Sequence, residues 1–179
     1  ARVTRYLSIP AIEWTYAALE AMPAVTPAAR KAKARERFLL VAYLTTGARL
    51  SELVGATMGA IYTEGDGRWW LDVIGKGEKP RRLPVAPTML VAFQEYRQAY
   101  GLAPTTTRDD TTALVLGTRG AALVAVTDEA ASNAVKALFA SAADLAQAEG
   151  DHDAASSLRA ASTHWLRHTM LTTHANNGV

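Results

Sequence analysis

The periodicity of this chain changes twice, and that limits what it can fold into. Ile61-Tyr62-Thr63 and Trp69-Trp70-Leu71-Asp72-Val73-Ile74 are rich in β-branched and aromatic residues, and they flank Glu64-Gly65-Asp66-Gly67, whose Asp-Gly pair favours a hairpin turn. A second turn at Gly75-Lys76-Gly77-Glu78 leads to Arg81-Arg82-Leu83-Pro84-Val85. These segments predict a small three-stranded antiparallel sheet with Lys76 in the hairpin between the second and third strands.

Helices are expected on both sides of the sheet. Ser8 is a candidate N-cap, with Pro10 in the first turn and Glu13 near the positive end of the dipole. That helix should run to about Met22, where Pro23 and Pro27 break the pattern. A second helix spans roughly Ala28 to Thr46, basic in its first half and apolar in its second, with Gly47 as terminator. Ser51 can cap a short third helix through Ala56. Further helices are expected at about Ala86–Tyr100, from Thr127 to about Gln147, and through Ala160 after a break at Gly150-Asp151. A last one starts near Ser162 or Thr163 and carries His164, Arg167, His168 and His174. Thr105–Thr112 reads as a polar loop, and Leu114-Val115-Leu116 is too short to assign. The fold class is α+β, mainly α, with one small three-stranded antiparallel sheet, and residues 1–179 read as a single domain without internal repeats.

At 179 residues with 49% apolar content the chain can bury a sizeable core. No apolar run approaches the roughly 18 residues a membrane span needs, and the N-terminus lacks the apolar stretch of a secretory signal. Without cysteine there is no disulfide scaffold, thiol nucleophile or thiolate metal site, a composition that suits a reducing cytoplasm. A net charge of +2 says little about a polyanionic partner. Its distribution says more: Arg30, Lys31, Lys33, Arg35 and Arg37 cluster in one helix, and Lys76, Lys79, Arg81 and Arg82 in the turn-rich segment. Either patch can neutralise phosphates locally, or can be a solvated helix face and a soluble hairpin.

Three stretches carry candidate chemistry. In Thr46-Gly47-Ala48-Arg49-Leu50-Ser51-Glu52-Leu53, Arg49 stands among apolar residues at the edge of a core, and its charge needs a partner. Glu52 is one candidate, as an internal ion pair. His164-Trp165-Leu166-Arg167 puts His164 and Arg167 on one helix face. An imidazole beside a guanidinium has a depressed pKa, which suits proton transfer next to an anion; the alternative is a core histidine with a surface arginine. Lys76, between two glycines, is a long cation on an open turn, and the phosphate-loop spacing of nucleotide-binding proteins is absent. His152, His168 and His174 make no credible metal cluster.

Taken together, T-G-x-R-x-x-E-L, then G-K-G-x-K-x-R-x-x-P, then H-x-x-R-H-T resemble the catalytic domain of the tyrosine recombinases, or phage integrases. The resemblance extends over nearly the whole chain from about Tyr6, with Ser162–Thr169 a close fit to the second arginine box. It implies a site-specific recombinase that cuts and rejoins double-stranded DNA through a 3′-phosphotyrosyl intermediate, with no metal or other cofactor. Arg49 and Arg167 would hold the non-bridging phosphate oxygens, Lys76 would be the general acid, and His164 would assist proton transfer. Glu52 would orient Arg49 or support the site, and Lys79, Arg81, Arg82 and His168 would contact DNA. The resemblance further implies a homotetramer on paired sites, a bacterial or phage origin, and a cytoplasmic, nucleoid-associated protein.

The family's nucleophilic tyrosine follows the second arginine box, whereas Tyr6, Tyr16, Tyr43, Tyr62, Tyr96 and Tyr100 all precede it. The chain therefore reads as a partial catalytic domain, without the N-terminal core-binding domain and the tyrosine segment, inactive by itself and monomeric or weakly associated. Three alternatives compete: a non-catalytic DNA-binding protein that keeps the phosphate pocket, a type IB topoisomerase, and a helical interaction protein using residues 127–147.

Overall fold

Ser8 begins the first helix, α1 (Ile9–Ala21): its Oγ accepts the Ala11 N–H at 3.2 Å, and Pro10 lies in the first turn. The structure is a computed structural model that describes residues 7–161, with Lys76 described in its main chain alone. α1 ends beside Met22 and no helix spans Pro23, as the sequence predicts, and Pro27 is itself the first residue of α2 (Pro27–Thr46), where Thr26 is the cap and its Oγ1 accepts the Ala29 N–H at 3.1 Å. A proline has no N–H to leave unpaired at a first helical position, so the residue that ends one pattern can open the next. Gly47 ends α2 as its sequence predicts, in the left-handed region at φ 70°, with its N–H donated to the Tyr43 carbonyl.

After the short α3 (Leu50–Val54) come β1 (Ile61–Thr63), β2 (Trp69–Ile74) and β3 (Pro80–Val85), antiparallel in the order β1-β2-β3. Register pairs Leu71 with Ile61 and with Leu83, and Val73 with Arg81. Ile61, Leu71, Val73 and Val85 are buried, so Arg81 shares the core-facing side of β3 and Arg82 the other. The remaining helices are α4 (Pro87–Ala99), α5 (Asp128–Ala148) and residues 152–161. The chain is mainly helical with one small three-stranded sheet.

The residues form two compact units. One is residues 23–131; the other is 1–22 with 132–179, of which 7–22 and 132–161 are described. In the first, α2 packs on α4, with the Phe38 and Tyr96 rings stacked at 5.3 Å and Phe93 tilted against Phe38 at 5.6 Å. Leu114-Val115-Leu116, left open by the sequence, is an extended buried segment held by side chains from both helices. The Tyr96 hydroxyl donates to the Leu114 carbonyl and accepts the Leu116 N–H, while Arg35 donates to the Leu116 carbonyl. Burial pushes the Tyr96 and Tyr100 hydroxyls up, Tyr100 to about 12, so both stay protonated donors.

The basic half of α2 is bound up in the same framework. Arg30 donates to the Val25 carbonyl, Lys31 to the Gly120 carbonyl while lying over the Tyr100 ring, and Arg35 pairs with the buried Glu36. These cations serve the fold, and only part of the expected patch is a solvated face.

In the other unit the buried positions include Leu19 of α1, Phe139 and Ala143 of α5, and Leu158. Trp14 Nε1 donates to Asp151 at 2.9 Å, and the Asp151 carboxylate also accepts the Ala154 N–H, capping the helix at 152–161. Among the described residues no helix is long and apolar enough to cross a membrane.

Candidate active site

The path from α2 into α3 places Arg49. Thr46, buried at the last position of α2, donates its hydroxyl to the Ala42 carbonyl and accepts the Ala48 N–H. Gly47 supplies the left-handed turn, Ala48 is buried, and the chain leaves extended at Arg49, with φ −70° and ψ 147°. Arg49, not Ser51, stands at the cap position of α3. An arginine has no oxygen with which to cap a helix, and Glu52 at the third helical position compensates in one direction: its Oε1 accepts the Arg49 N–H at 2.9 Å.

The expected Arg49–Glu52 ion pair is not formed between side chains. Glu52 pairs with Arg81 instead, Nη2 to Oε1 at 2.8 Å, with the Glu52 side chain 4% exposed and that of Arg81 27%. The Arg49 guanidinium, half-buried, has no hydrogen-bond or ion-pair partner among the described residues.

Glu52 also abuts the turn between β2 and β3. A Cβ added at Gly75 would lie 3.2 Å from Glu52 Oε2, so the absence of a side chain there lets the carboxylate approach. The turn is closed by the Gly75 N–H donating to the Lys79 carbonyl at 2.8 Å, and Lys76–Glu78 forms a 3-10 turn with Gly77 at φ 74°. Lys76 thus lies in the hairpin turn, as its sequence predicts, and its main chain follows directly on the glycine that Glu52 touches.

Lys79 is exposed at the end of that turn. Arg82 points to the opposite face of the sheet from Arg81, stacked on Trp70 at 3.9 Å and paired with Glu64 at 2.9 Å. The structure therefore brings Arg49, Glu52, Arg81 and the main chain around Lys76 together, and leaves Arg82 out. His164, Arg167 and His168 lie outside the described residues. No sequence pattern singled out Arg108, which lies on the Arg82 face, 3.6 Å from the Tyr62 ring centre and bonded to Asp72. It arrives there from a distant loop, and only the fold reveals it. A cleft of about 360 Å³ between Trp69, Trp70, Pro84, Pro87 and Leu90 includes none of the candidate residues. Among the described residues no three His, Asp or Glu side chains are grouped to hold a metal ion.

A model of the phage integrase family matches residues 17–179, and the chain belongs to that family. Its fold is that of the tyrosine recombinases. It is similar to the XerH site-specific recombinase bound to palindromic difH substrate in a post-cleavage complex, at 18% identity and a TM-score of 0.59, over 97% of this chain and 46% of that one. It is also similar to XerH bound to difH substrate in a pre-cleavage complex, at 16% identity and a TM-score of 0.56, over 97% of this chain and 47% of the other. At such identities the likeness is one of fold, and the chain spans about half the length of these structures. No curated protein matches it significantly in sequence.

Proposed function

We propose that this chain forms part of the catalytic domain of a site-specific recombinase that cuts and rejoins double-stranded DNA through a 3′-phosphotyrosyl intermediate. The observation that carries the reading is the Arg49 guanidinium. The main chain of Arg49 is fixed at the start of α3 while its guanidinium has no partner among the described residues, and the acid three positions on is committed to Arg81. A permanently charged, planar donor held in this way suits a phosphodiester.

In this reading a tyrosine oxygen attacks phosphorus, the bond to the 5′-oxygen breaks, and that oxygen leaves with a proton. Arg49 and Arg167 bind the non-bridging oxygens and stabilise the charge that builds on them. Lys76 gives the proton to the leaving oxygen, and His164 assists proton transfer at the tyrosine or holds the phosphate. Lys79 and His168 contact the duplex. The phosphotyrosyl bond conserves the energy of the broken one, so rejoining needs no nucleotide. The six tyrosines of the chain precede the His164 box, so the reading calls for a nucleophile from outside these 179 residues. These residues alone should then grip DNA without cutting it, and the assembled enzyme would act as a homotetramer on paired sites.

The test is to express the whole gene product in cells, denature them rapidly and isolate DNA that stays covalently attached to the protein. A tyrosine-linked adduct at discrete sites, lost in folded Arg49→Ala, is the expected result. An adduct that survives Arg49→Ala overturns the role of Arg49. Salt-sensitive DNA binding without any adduct would leave the protein a non-catalytic DNA binder.

A further inference from the structure

Arg81 belongs, by resemblance, with the cations expected to touch DNA, but its surroundings argue for another task. It lies on the core-facing side of β3, opposite Val73, and reaches a carboxylate that is almost wholly buried. That carboxylate has a second engagement with the main chain, where Oε1 accepts the Arg49 N–H. Its other oxygen lies against Gly75, at the entry of the turn that carries Lys76. One acidic side chain thus meets three separate pieces of the chain: the start of α3, the inner face of β3 and the β2–β3 turn.

We propose that Arg81 is a positioning residue: through Glu52 it fixes the turn carrying Lys76 relative to the start of α3 carrying Arg49. This rests on the proposed function for its purpose, though not for its geometry. Phosphoryl transfer by positioned cations is sensitive to displacements of about 1 Å, and a turn at the end of a hairpin is the part of the sheet least held by strand pairing, even where α3 packs on β2. The Arg81–Glu52 bond supplies a direct brace between the turn and α3. Without Arg81, the Glu52 carboxylate would be buried without its counter-charge, and relaxing toward water would draw it away from both Arg49 and Gly75.

The rival is that Arg81 contacts phosphate itself. Its Nε is buried and has no partner among the described residues, a spare donor that a phosphate oxygen could take. The two roles differ in what they do to salt dependence. Losing a phosphate contact reduces the slope of log affinity against log salt by about 0.9, whereas losing a brace lowers affinity without changing that slope.

The experiment uses the 179-residue chain as it stands, with Arg81→Met, Lys79→Met and Gly75→Ala. Amide hydrogen exchange is read at Gly75, whose N–H bonds to Lys79, and at Arg49, whose N–H bonds to Glu52. Binding to a random-sequence duplex is titrated across salt concentrations. A brace predicts that Arg81→Met speeds exchange at both amides by at least about tenfold and keeps the wild-type slope, while Lys79→Met shrinks the slope and leaves exchange alone. Gly75→Ala, which crowds Glu52 without removing any charge, should speed exchange at Arg49 as well; this variant decides the question if Arg81→Met fails to fold. Unchanged exchange in Arg81→Met, or in Gly75→Ala when Arg81→Met does not fold, overturns the proposal, as does a slope reduced as much as in Lys79→Met. If the wild type shows no salt-dependent binding, the proposed function falls, and the exchange data still decide whether the brace exists.

Discussion

Gly59 is fixed by two main-chain oxygens that occupy the space a side chain would need: an added Cβ would lie 2.3 Å from the Arg108 carbonyl oxygen and 2.7 Å from that of Asp110. Gly59→Ala must therefore push the 108–112 loop outward, taking Arg108 off the Tyr62 ring. A loss of about 1–3 kcal/mol is expected from such overpacking, read as a lower Tm, while an unchanged Tm would mean the loop yields freely. Asp151 offers a test of a different kind. The hydrogen bond from Trp14, with that from the Ala154 N–H, holds its carboxyl below the ordinary value of 3.8. The folded state then binds fewer protons than the unfolded one, so the stabilisation is present above pH 3.8 and is lost as pH falls through the depressed folded value. Trp14→Phe removes the donor. Its deficit in Tm should include a part that is constant above about pH 5 and shrinks toward about pH 2; a deficit independent of pH would assign the whole effect to lost packing.

At the scale of elements, the boundaries legible in the sequence are those set by local chemistry. Ser8, Gly47 and the Asp66-Gly67 turn act where they stand, because a cap or a left-handed turn needs only its own few residues. Pro23 and Pro27 mark the break between the first two helices, and Pro27 also opens the second, since the same fixed φ that ends a helix can begin one. The Leu114–Leu116 segment could not be read at all, because Arg35, Tyr96 and Tyr100 hold it from two helices distant in sequence. The candidate site divides in the same way. Its motifs pointed to Arg49, Glu52 and Lys76, and strand alternation separates Arg81 from Arg82. Which of those two faces inward depends on register with Val73, and so does Glu52's choice of Arg81 over the Arg49 guanidinium. Tyr96→Phe tests the long-range bracing directly. It removes one hydroxyl that both donates to Leu114 and accepts from Leu116, leaving two buried main-chain groups unpaired. About 1–3 kcal/mol should be lost, with faster amide exchange at Leu116; an unprotected Leu116 amide in the wild type would overturn the bracing.

For the whole molecule, what matters is how many of the described cations are already engaged within the fold. Net charge is only +2, and the largest basic cluster in the sequence lies in α2. There Lys31 bonds the Gly120 carbonyl, and Arg35, whose side chain is 11% exposed, joins Glu36 to the Leu116 carbonyl. Such residues cannot leave their partners for phosphate without loosening the 113–126 segment. If the chain grips DNA as proposed, the contacts that the described residues supply must come from a small set around Arg49 and the β2–β3 turn, joined by those proposed for His164, Arg167 and His168, and the basic half of α2 should add little to the salt dependence. Lys31→Met and Arg35→Met should lower the Tm, Arg35→Met by more, and leave the slope of log affinity against log salt as in the wild type. Arg49→Ala should leave the Tm nearly unchanged, because its side chain holds nothing among the described residues, and should reduce the slope by about 0.9. Duplex titrations over a range of salt, run beside thermal melts of the same variants, separate the two sets. If the α2 variants lose slope and keep their Tm, the basic helix is the DNA surface and its hydrogen bonds to main-chain carbonyls are incidental.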